Sequence, residues 1–371
     1  MIHDPDYIAG FINAAIAGRC DIVKSLLDGG MDVNAQLLDE QLQPVGPTAL
    51  HAAANGGHVA LLRLLLAAGA HVNAVTGDAV TPLQLAAANG FAECAHLLLS
   101  AGADVNMKSA GGNTALHAAA RSGCIPLLCE LLAVGAQVNL PGRDGLTPLH
   151  LAAAAGHVQV MQELLAAGAD ALSSNEDGKL PLHLAAQFGH VQALRLLQKC
   201  GAPLTALMKD GQNVLHLAAM GGHAAAIQYI LNSGVDVHSC NAAGFSALQM
   251  SVAQGHAVCV RILLAAGANP CEADENAFSV LHHAAALGHA DILQLLLENG
   301  ANPIMTDARG RTALTYAMRK GRIDVLPLLT EAHPALAAEY KEAGRRLLKR
   351  GLTFVGGMVI LLAVIIWCFV C

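Results

Sequence analysis

Polar turn residues, a capping residue and apolar runs follow one another along this chain in blocks of 33 residues. The capping positions are Thr48, Thr81, Thr114, Thr147, Leu180, Asn213, Ser246, Ser279 and Thr312, without one slip of register. In the block around Thr147, Asp144 and Gly145 supply a hairpin turn, Thr147 can cap a helix, and Pro148 takes its first position, where a missing N–H costs nothing. Ala152 and Ala153 follow, small enough for neighbouring helices to approach, and Gly156 with His157 closes that helix. A second helix is predicted over residues 158–167, stopped by Gly168. The same stop returns at Gly69, Gly102, Gly135, Gly201, Gly234, Gly267 and Gly300, as a left-handed terminus without Cβ strain demands.

A fixed period of this length predicts stacked units, none of which can bury its apolar face without a neighbour. The TPLHLAA run, the Gly-His that follows it, and the LL and GA elements, written out most fully in residues 147–169, resemble the ankyrin repeat family. The resemblance extends over roughly residues 8–330, and an earlier unit, residues 11–34, fits once six inserted residues between Gln36 and Gly46 are allowed. It implies an all-α fold of helix-turn-helix units with β-hairpin loops: a solenoid of about ten repeats over residues 8–333, whose first and last units are caps with water-facing outer sides. Leu180 has no oxygen with which to cap, and Val252 and Met318 stand where other repeats have a small alanine. Those repeats are expected to pack less regularly.

A chain of 371 residues ordinarily divides into two or three domains, but no Pro/Gly/Ser-rich linker interrupts the array, so one elongated unit is predicted. The N-terminal MIHDPDY carries acids and no apolar run, which excludes a secretory signal there. The ten cysteines have no extracellular spacing; Cys20, Cys94, Cys124 and Cys200 fall at helical or helix-boundary positions and read as thiols of a reducing compartment.

Residues 352–371 form a run of twenty without a charge, about 30 Å as a helix, which predicts a transmembrane anchor at the C-terminus. Lys341, Arg345, Arg346, Lys349 and Arg350 make residues 334–351 a basic juxtamembrane helix, held on the cytosolic side by the positive-inside tendency, so the repeats face the cytosol. Residues 1–308 hold 11 Lys and Arg against 24 Asp and Glu, whereas residues 309–371 hold 10 against 4. The acidic part would repel nucleic acid. Arg309, Arg311, Arg319, Lys320 and Arg322 lie in the last repeat, where they would either face the negative potential of a lipid surface or form a solvated basic cap. The final four residues, Cys368-Phe369-Val370-Cys371, formally fit a prenylation box with Cys368 as the lipidated residue, an alternative that requires a cytosolic C-terminus.

Catalytic chemistry has no positive signal. Of 18 histidines, six occupy the fourth place of the box (His51, His117, His150, His183, His216, His282) and six follow the glycine (His58, His157, His190, His223, His256, His289). These twelve belong to the repeat. His282, His283, His289 and Asp291 can be drawn as a metal cluster, but two of them sit where the repeat places histidine anyway. No phosphate loop, HExxH or GxSxG occurs. No enzyme activity, metal, cofactor or small-molecule substrate is expected.

What remains is a surface. In the ankyrin family the hairpin tip and the end of the first helix form the binding face, which in this register means one, three and four residues before the cap and seven or eight after it. Phe188, Met220, Phe245, Phe278 and Leu287 occupy such places, with Leu146 and Val80 earlier. Three of only seven phenylalanines are among them. They form either a partner-binding ridge or rings tucked between adjacent hairpins. The resemblance implies a scaffold for a protein partner, and the uncharged C-terminal run adds that it is membrane-anchored. A prenylated adaptor, an effector that an intracellular bacterium delivers to host proteins, and an accessory subunit of an enzyme or transporter are the alternatives.

Overall fold

A hydrogen bond from the capping residue's N–H to the side chain three places on starts most of the first helices. The Thr48 N–H donates to His51 Nδ1 at 3.1 Å while the His51 N–H donates to Thr48 Oγ1 at 3.3 Å, so two otherwise orphaned backbone donors are satisfied inside the box. The arrangement recurs at Asn213 and Ser279 with His, and at Thr81 and Ser246 with Gln in the histidine's place, while at Thr114 and Thr147 the cap N–H donates to the histidine Nδ1 at 3.1 Å and the Thr hydroxyl lies 2.9 and 2.8 Å from the same nitrogen. Leu180 lacks the oxygen, yet its N–H still reaches His183 Nδ1 at 2.9 Å, and the helix forms on the surviving half of the box.

The computed structural model describes residues 5–37 and 46–349, and the chain divides into two compact units, residues 1–203 and 204–371. The first holds six helix pairs: α1 (Pro5–Ile16) with α2 (Cys20–Asp28), α3 (Ala49–Gly56) with α4 (Val59–Ala67), and α5 (Pro82–Ala88) with α6 (Ala92–Ser100). After these come α7 (Ala115–Ser122) with α8 (Ile125–Ala133), α9 (Pro148–Ala155) with α10 (Val158–Ala166), and α11 (Pro181–Gln187) with α12 (Val191–Lys199). The second unit holds α13 (Val214–Met220) with α14 (Ala224–Asn232), α15 (Ala247–Gln254) with α16 (Ala257–Ala265), and α17 (Val280–Leu287) with α18 (Ala290–Glu298). Its fourth pair is α19 (Ala313–Lys320) with α20 (Leu326–Ala332), followed by the longer α21 (Pro334–Lys349). Among the described residues there is no strand, only two isolated antiparallel bridges, Cys240 with Ser246 and Ala273 with Ser279. The insertion predicted after Gln36 falls mostly on residues 38–45, outside the described residues.

Within each unit, first helices pack on first helices and second on second. Ala119, Ala120, Ala152, Ala153, Ala185 and Ala186 are fully buried where first helices meet, and Leu127, Leu128, Leu131, Met161 and Leu164 fill the layer beneath. Truncating one such leucine to alanine costs roughly 2–5 kcal/mol. Val252 is fully buried on α15, and α15 packs less extensively on α17 than other neighbouring first helices do. Met318 does not loosen its repeat in the way expected, because α19 lies against α17 as closely as any such pair.

Polar bonds at fixed offsets tie each repeat to the next. His51, His117 and His150 accept the cap N–H at Nδ1, so the proton is on Nε2, which donates to the carbonyls of Val80, Leu146 and Lys179 at 3.0, 3.1 and 2.9 Å. Gln84 does the same with its amide, donating to Asn113 O at 2.9 Å. The histidines after the glycine tie backward: His58 Nε2 to Ile16 O, His157 to Arg121 O, His190 to Ala154 O and His256 to Met220 O, all within 3.0–3.2 Å. Gly156 takes φ of 72°, and a Cβ there would lie 2.5 Å from His190 Nδ1, so backbone and neighbouring ring both require glycine. Hairpin tips are joined two by two through backbone bonds: Ala110 N–H to Asp78 O, Glu176 to Asp144, Ala242 to Asp210 and Ala308 to Asn276.

α21 closes the second unit. Glu339 accepts from Thr312 Oγ1 at 3.1 Å and from Thr315 Oγ1 at 2.9 Å, standing where the next repeat's hairpin would otherwise be. Leu336 and Tyr340 of the same helix are buried. Among the described residues no helix is long and apolar enough to cross a membrane; the predicted span, residues 352–371, lies outside them.

Candidate protein-binding surfaces

The apolar side chains picked out by the register separate into presented and packed ones. In the first unit Phe188, the C-cap of α11, is 49% exposed. In the second unit Met220 and Leu287, the last residues of α13 and α17, and Phe245, one residue before the Ser246 cap, are exposed as well. Ile16, missed in the sequence, is 57% exposed and holds the place in its repeat that Met220 holds in another: each gives its carbonyl to the histidine of the following unit. The six-residue insertion hid this equivalence, which the Gly-His spacing could have revealed. Val80 and Leu146 are half-buried.

Phe278 is half-buried, its ring packed against its neighbours. Its ring meets His283 edge-on at 4.5 Å between centroids and Tyr316 edge-on at 4.9 Å, with His282 tilted at 5.2 Å. The alternative in which a ring tucks between adjacent repeats therefore describes Phe278. Tyr316 in turn donates its hydroxyl to Asp307 at 2.5 Å and lies beneath the Arg311 guanidinium, 4.7 Å from its centre. Desolvation opposes the charge on Asp307, but bonds from Tyr316, the Arg311 and Arg309 N–H groups and the Arg311 guanidinium together hold its carboxyl far below the usual range. Burial, and the hydrogen bond to Asp307, raise the Tyr316 pKa.

Two buried donors beside the phenylalanine hairpins, His216 Nε2 and Gln249 Nε2, lack a hydrogen bond of ordinary length and angle. By the register of the repeats they should meet the carbonyls of Phe245 and Phe278. Burial lowers the His216 pKa, and the carbonyls of Ser239 and Phe245 oppose this only in part. His282 in the next repeat has both ring nitrogens engaged, with the Ser279 N–H at 3.1 Å and Arg311 O at 3.0 Å, which removes it as a free metal ligand.

The basic residues likewise divide. Arg309, Arg319, Lys320 and Arg345 are exposed. Arg311 is taken up by Asp307, 3.0 Å from its carboxylate, and so is withdrawn from any outer surface. Arg346 pairs with Glu342 one turn earlier on α21. Lys349 ends α21, whereas Arg350 and Cys368 lie outside the described residues.

The first unit contains a cavity of about 370 Å³ at the junction of three repeats, between the first helices and the hairpins. Val80, Leu85, Leu146 and Leu151 line it, with the exposed Arg121 and Arg143 and the carboxylate-bearing Asp144. His117 also lines it but is committed to its cap and to Leu146 O, and burial lowers its pKa to about 4, so it adds no charge near neutrality.

Models of ankyrin repeats match residues 11–109, 76–141, 116–207 and 200–274 (three copies each) and residues 281–330 (many copies). The chain belongs to the ankyrin repeat family. Among solved structures it is similar to the crystal structure of the human ASB11 ankyrin repeat domain, at 31% identity and a TM-score of 0.54, over 61% of this chain and 98% of that one. No curated protein matches it. Ankyrin repeats are in general a protein-interaction fold without catalysis, and nothing among the described residues shows catalytic activity.

Proposed function

We propose that this ankyrin-repeat chain is a membrane-tethered scaffold that binds a protein partner through apolar side chains held out from its repeats. The observation that carries the reading is Phe188, a ring left about half in water at a helix terminus, with Met220, Phe245 and Leu287 at corresponding presented places. An exposed aromatic gains nothing from solvent, and such anchors supply most of the energy of protein interfaces. Tethering rests on the twenty uncharged residues 352–371 and on the basic residues before them, of which Arg345 is exposed on α21. The repeats then face the cytosol, with Arg309, Arg319 and Lys320 available to an anionic lipid surface.

Affinity capture by the full chain, compared with a Phe188→Ser/Met220→Ser/Phe245→Ser variant, tests the binding role. A defined set of proteins retained by the first and lost by the second, at equal thermal stability, is the expected result. Equal recovery by both would remove these side chains from the interface.

A further inference from the structure

Three kinds of polar tie join neighbouring repeats: a backbone bond between hairpin tips, a bond from the side chain three places after the cap to a carbonyl of the next hairpin, and one from the side chain after the glycine back to the repeat before. Among the described residues at least one of them crosses every junction within either unit except that between α15 and α17. There, no backbone bond joins the tips at residues 241–245 and 274–278. Gln249 Nε2 lacks a hydrogen bond of ordinary length and angle, although Gln84 in the same place donates to Asn113 O at 2.9 Å. His289 lies against Gly255 but makes no bond back to the repeat before it, whereas His256 and Arg322 at equivalent places reach carbonyls at 3.2 and 3.1 Å.

Apolar packing is thin at the same junction. α15 and α17 pack less extensively than any other neighbouring first helices within either unit. Val252, fully buried on α15, stands where other first helices carry Ala120, Ala153, Ala186, Ala219 and Ala285. The extra methyl groups of valine hold a neighbouring backbone away where alanine lets it approach. What still crosses is a pair of side-chain bonds: Ser246 Oγ donates to Glu272 Oε2 at 2.7 Å, and the Cys271 thiol donates to Gly300 O at 3.5 Å.

We propose that the second unit has a seam between α15–α16 and α17–α18, at which the array opens while the helix pairs on either side stay folded. The stability of a stacked array is a sum of terms for the repeats and for their interfaces, so opening begins where the interface term is smallest. The consequence for binding rests on the reading of the presented side chains as partner anchors. Phe245 belongs to one side of the seam and Leu287 to the other, so a partner that holds both selects the closed state.

Two cysteines of the chain serve as probes. Cys94 on α6 and Cys259 on α16 hold the same place of the repeat, and burial encloses both and pushes both thiols up. The first lies in a repeat whose junction with the next carries a tip bond, the Gln84 bond and a backward bond from Cys124; the second lies at the seam. The full chain in a non-ionic detergent is treated with a small neutral alkylating reagent, and modification of each cysteine is followed by mass spectrometry. Each rate is divided by that of the same cysteine in denaturant, which removes differences in intrinsic reactivity. Cys259 should react at least about tenfold faster than Cys94, while the amides within α15 to α18 stay protected from exchange. Val252→Ala with Gln249→His, which restores the residues of other repeats, should slow Cys259 by roughly the same factor and leave Cys94 as it was. Equal normalised rates in the unaltered chain, helix amides that exchange as fast as Cys259 reacts, or a folded double variant in which Cys259 is not slowed would overturn the proposal. No partner enters the measurement, so a failure of the seam and a failure of the anchors are told apart.

Discussion

His117 Nε2 stands 3.1 Å from the carbonyl oxygen of Leu146, twenty-nine residues further on and in the next repeat, while its Nδ1 receives the Thr114 N–H at 3.1 Å. A neutral ring satisfies both bonds, whereas a protonated one gives up the bond from the Thr114 N–H, because Nδ1 then carries a proton of its own.

Stability should therefore fall on mild acidification. Burial lowers the pKa of His117 and of His150 to about 4, and lowers those of His51, His216 and His282. Since the unfolded chain takes up these protons near pH 6.5 and the folded one does not, the stabilisation is complete above about 6.5 and is lost as pH falls through about 4. For His117 and His150 the amount is of order 3 kcal/mol each. Gln84 holds the same place with an amide, bonding both the cap and the next hairpin without titrating. His117→Gln should accordingly keep most of the melting temperature at pH 7.5 and flatten its decline between pH 6.5 and 4.5. An unchanged slope would show that other groups carry the acid sensitivity.

Phe188 and Phe278 should respond oppositely to the same change. Phe188→Ser is expected to shift unfolding by no more than about 0.5 kcal/mol, as exposed substitutions do. Phe278→Ser removes a half-buried ring in contact with His282, His283 and Tyr316 and should cost about 1–3 kcal/mol. Chemical denaturation of the two variants side by side checks the assignment of one ring to the surface and the other to the packing.

Ala277 offers a stabilising change. It holds φ of 57° at the place where Gly145 and Gly310 hold 74° and 69°. A left-handed non-glycine residue costs roughly 1–2 kcal/mol, part of which glycine returns as unfolded-chain entropy. Ala277→Gly should raise stability by about 0.5–1 kcal/mol, read as a higher denaturant midpoint at constant slope.

Glu339 should govern the end of the second unit. Removing its carboxylate by Glu339→Ala leaves the Thr312 and Thr315 hydroxyls without their acceptor. Amide exchange in α19 and α20 should quicken, with a loss of about 1 kcal/mol, while exchange in α3 to α10 stays as it was. Glu339→Gln, which still accepts, should recover most of the protection.

The tail is tested by two substitutions in the full chain. Leu362→Arg places a charge in the middle of residues 352–371 and should weaken membrane integration by roughly 2.5–3.5 kcal/mol, whereas Cys368→Ser removes only the thiol of the prenylation box. Release of Leu362→Arg by alkaline carbonate, with Cys368→Ser retained, is expected. The reverse pattern would replace the spanning helix with a lipid anchor.

Helix pairs, caps and glycine stops were legible because each is fixed by residues close in sequence: Thr147, Pro148, Gly156 and Gly168 dictate their own backbone whatever packs around them. The failure of Leu180 to break its repeat was foreseeable from His183, since the cap is a pair and one partner remained. Phe245 and Phe278, by contrast, occupy the same register position and meet different fates. Phe278 is enclosed by His283 of its own first helix and Tyr316 of the next, each four residues after a cap. That aromatic pair was visible in the chain, but its bearing on Phe278 depends on side chains from two repeats meeting in space. The cavity beside Arg121 and Arg143 was illegible for the same reason, being lined by residues of three repeats.

The joining of the hairpin tips two by two has a consequence for the length this chain can take. The backbone bonds accepted by Asp78, Asp144, Asp210 and Asn276 recur every 66 residues, not every 33. A single repeat is thus the unit of folding but a couple of repeats is the unit of phase. Excising one repeat from the first unit brings together two hairpins that were never partners and shifts the alternation for everything downstream, whereas excising a neighbouring couple leaves each remaining hairpin with the partner it had. Lengthening or shortening this array without disturbing its surface is a matter of adding or removing even numbers.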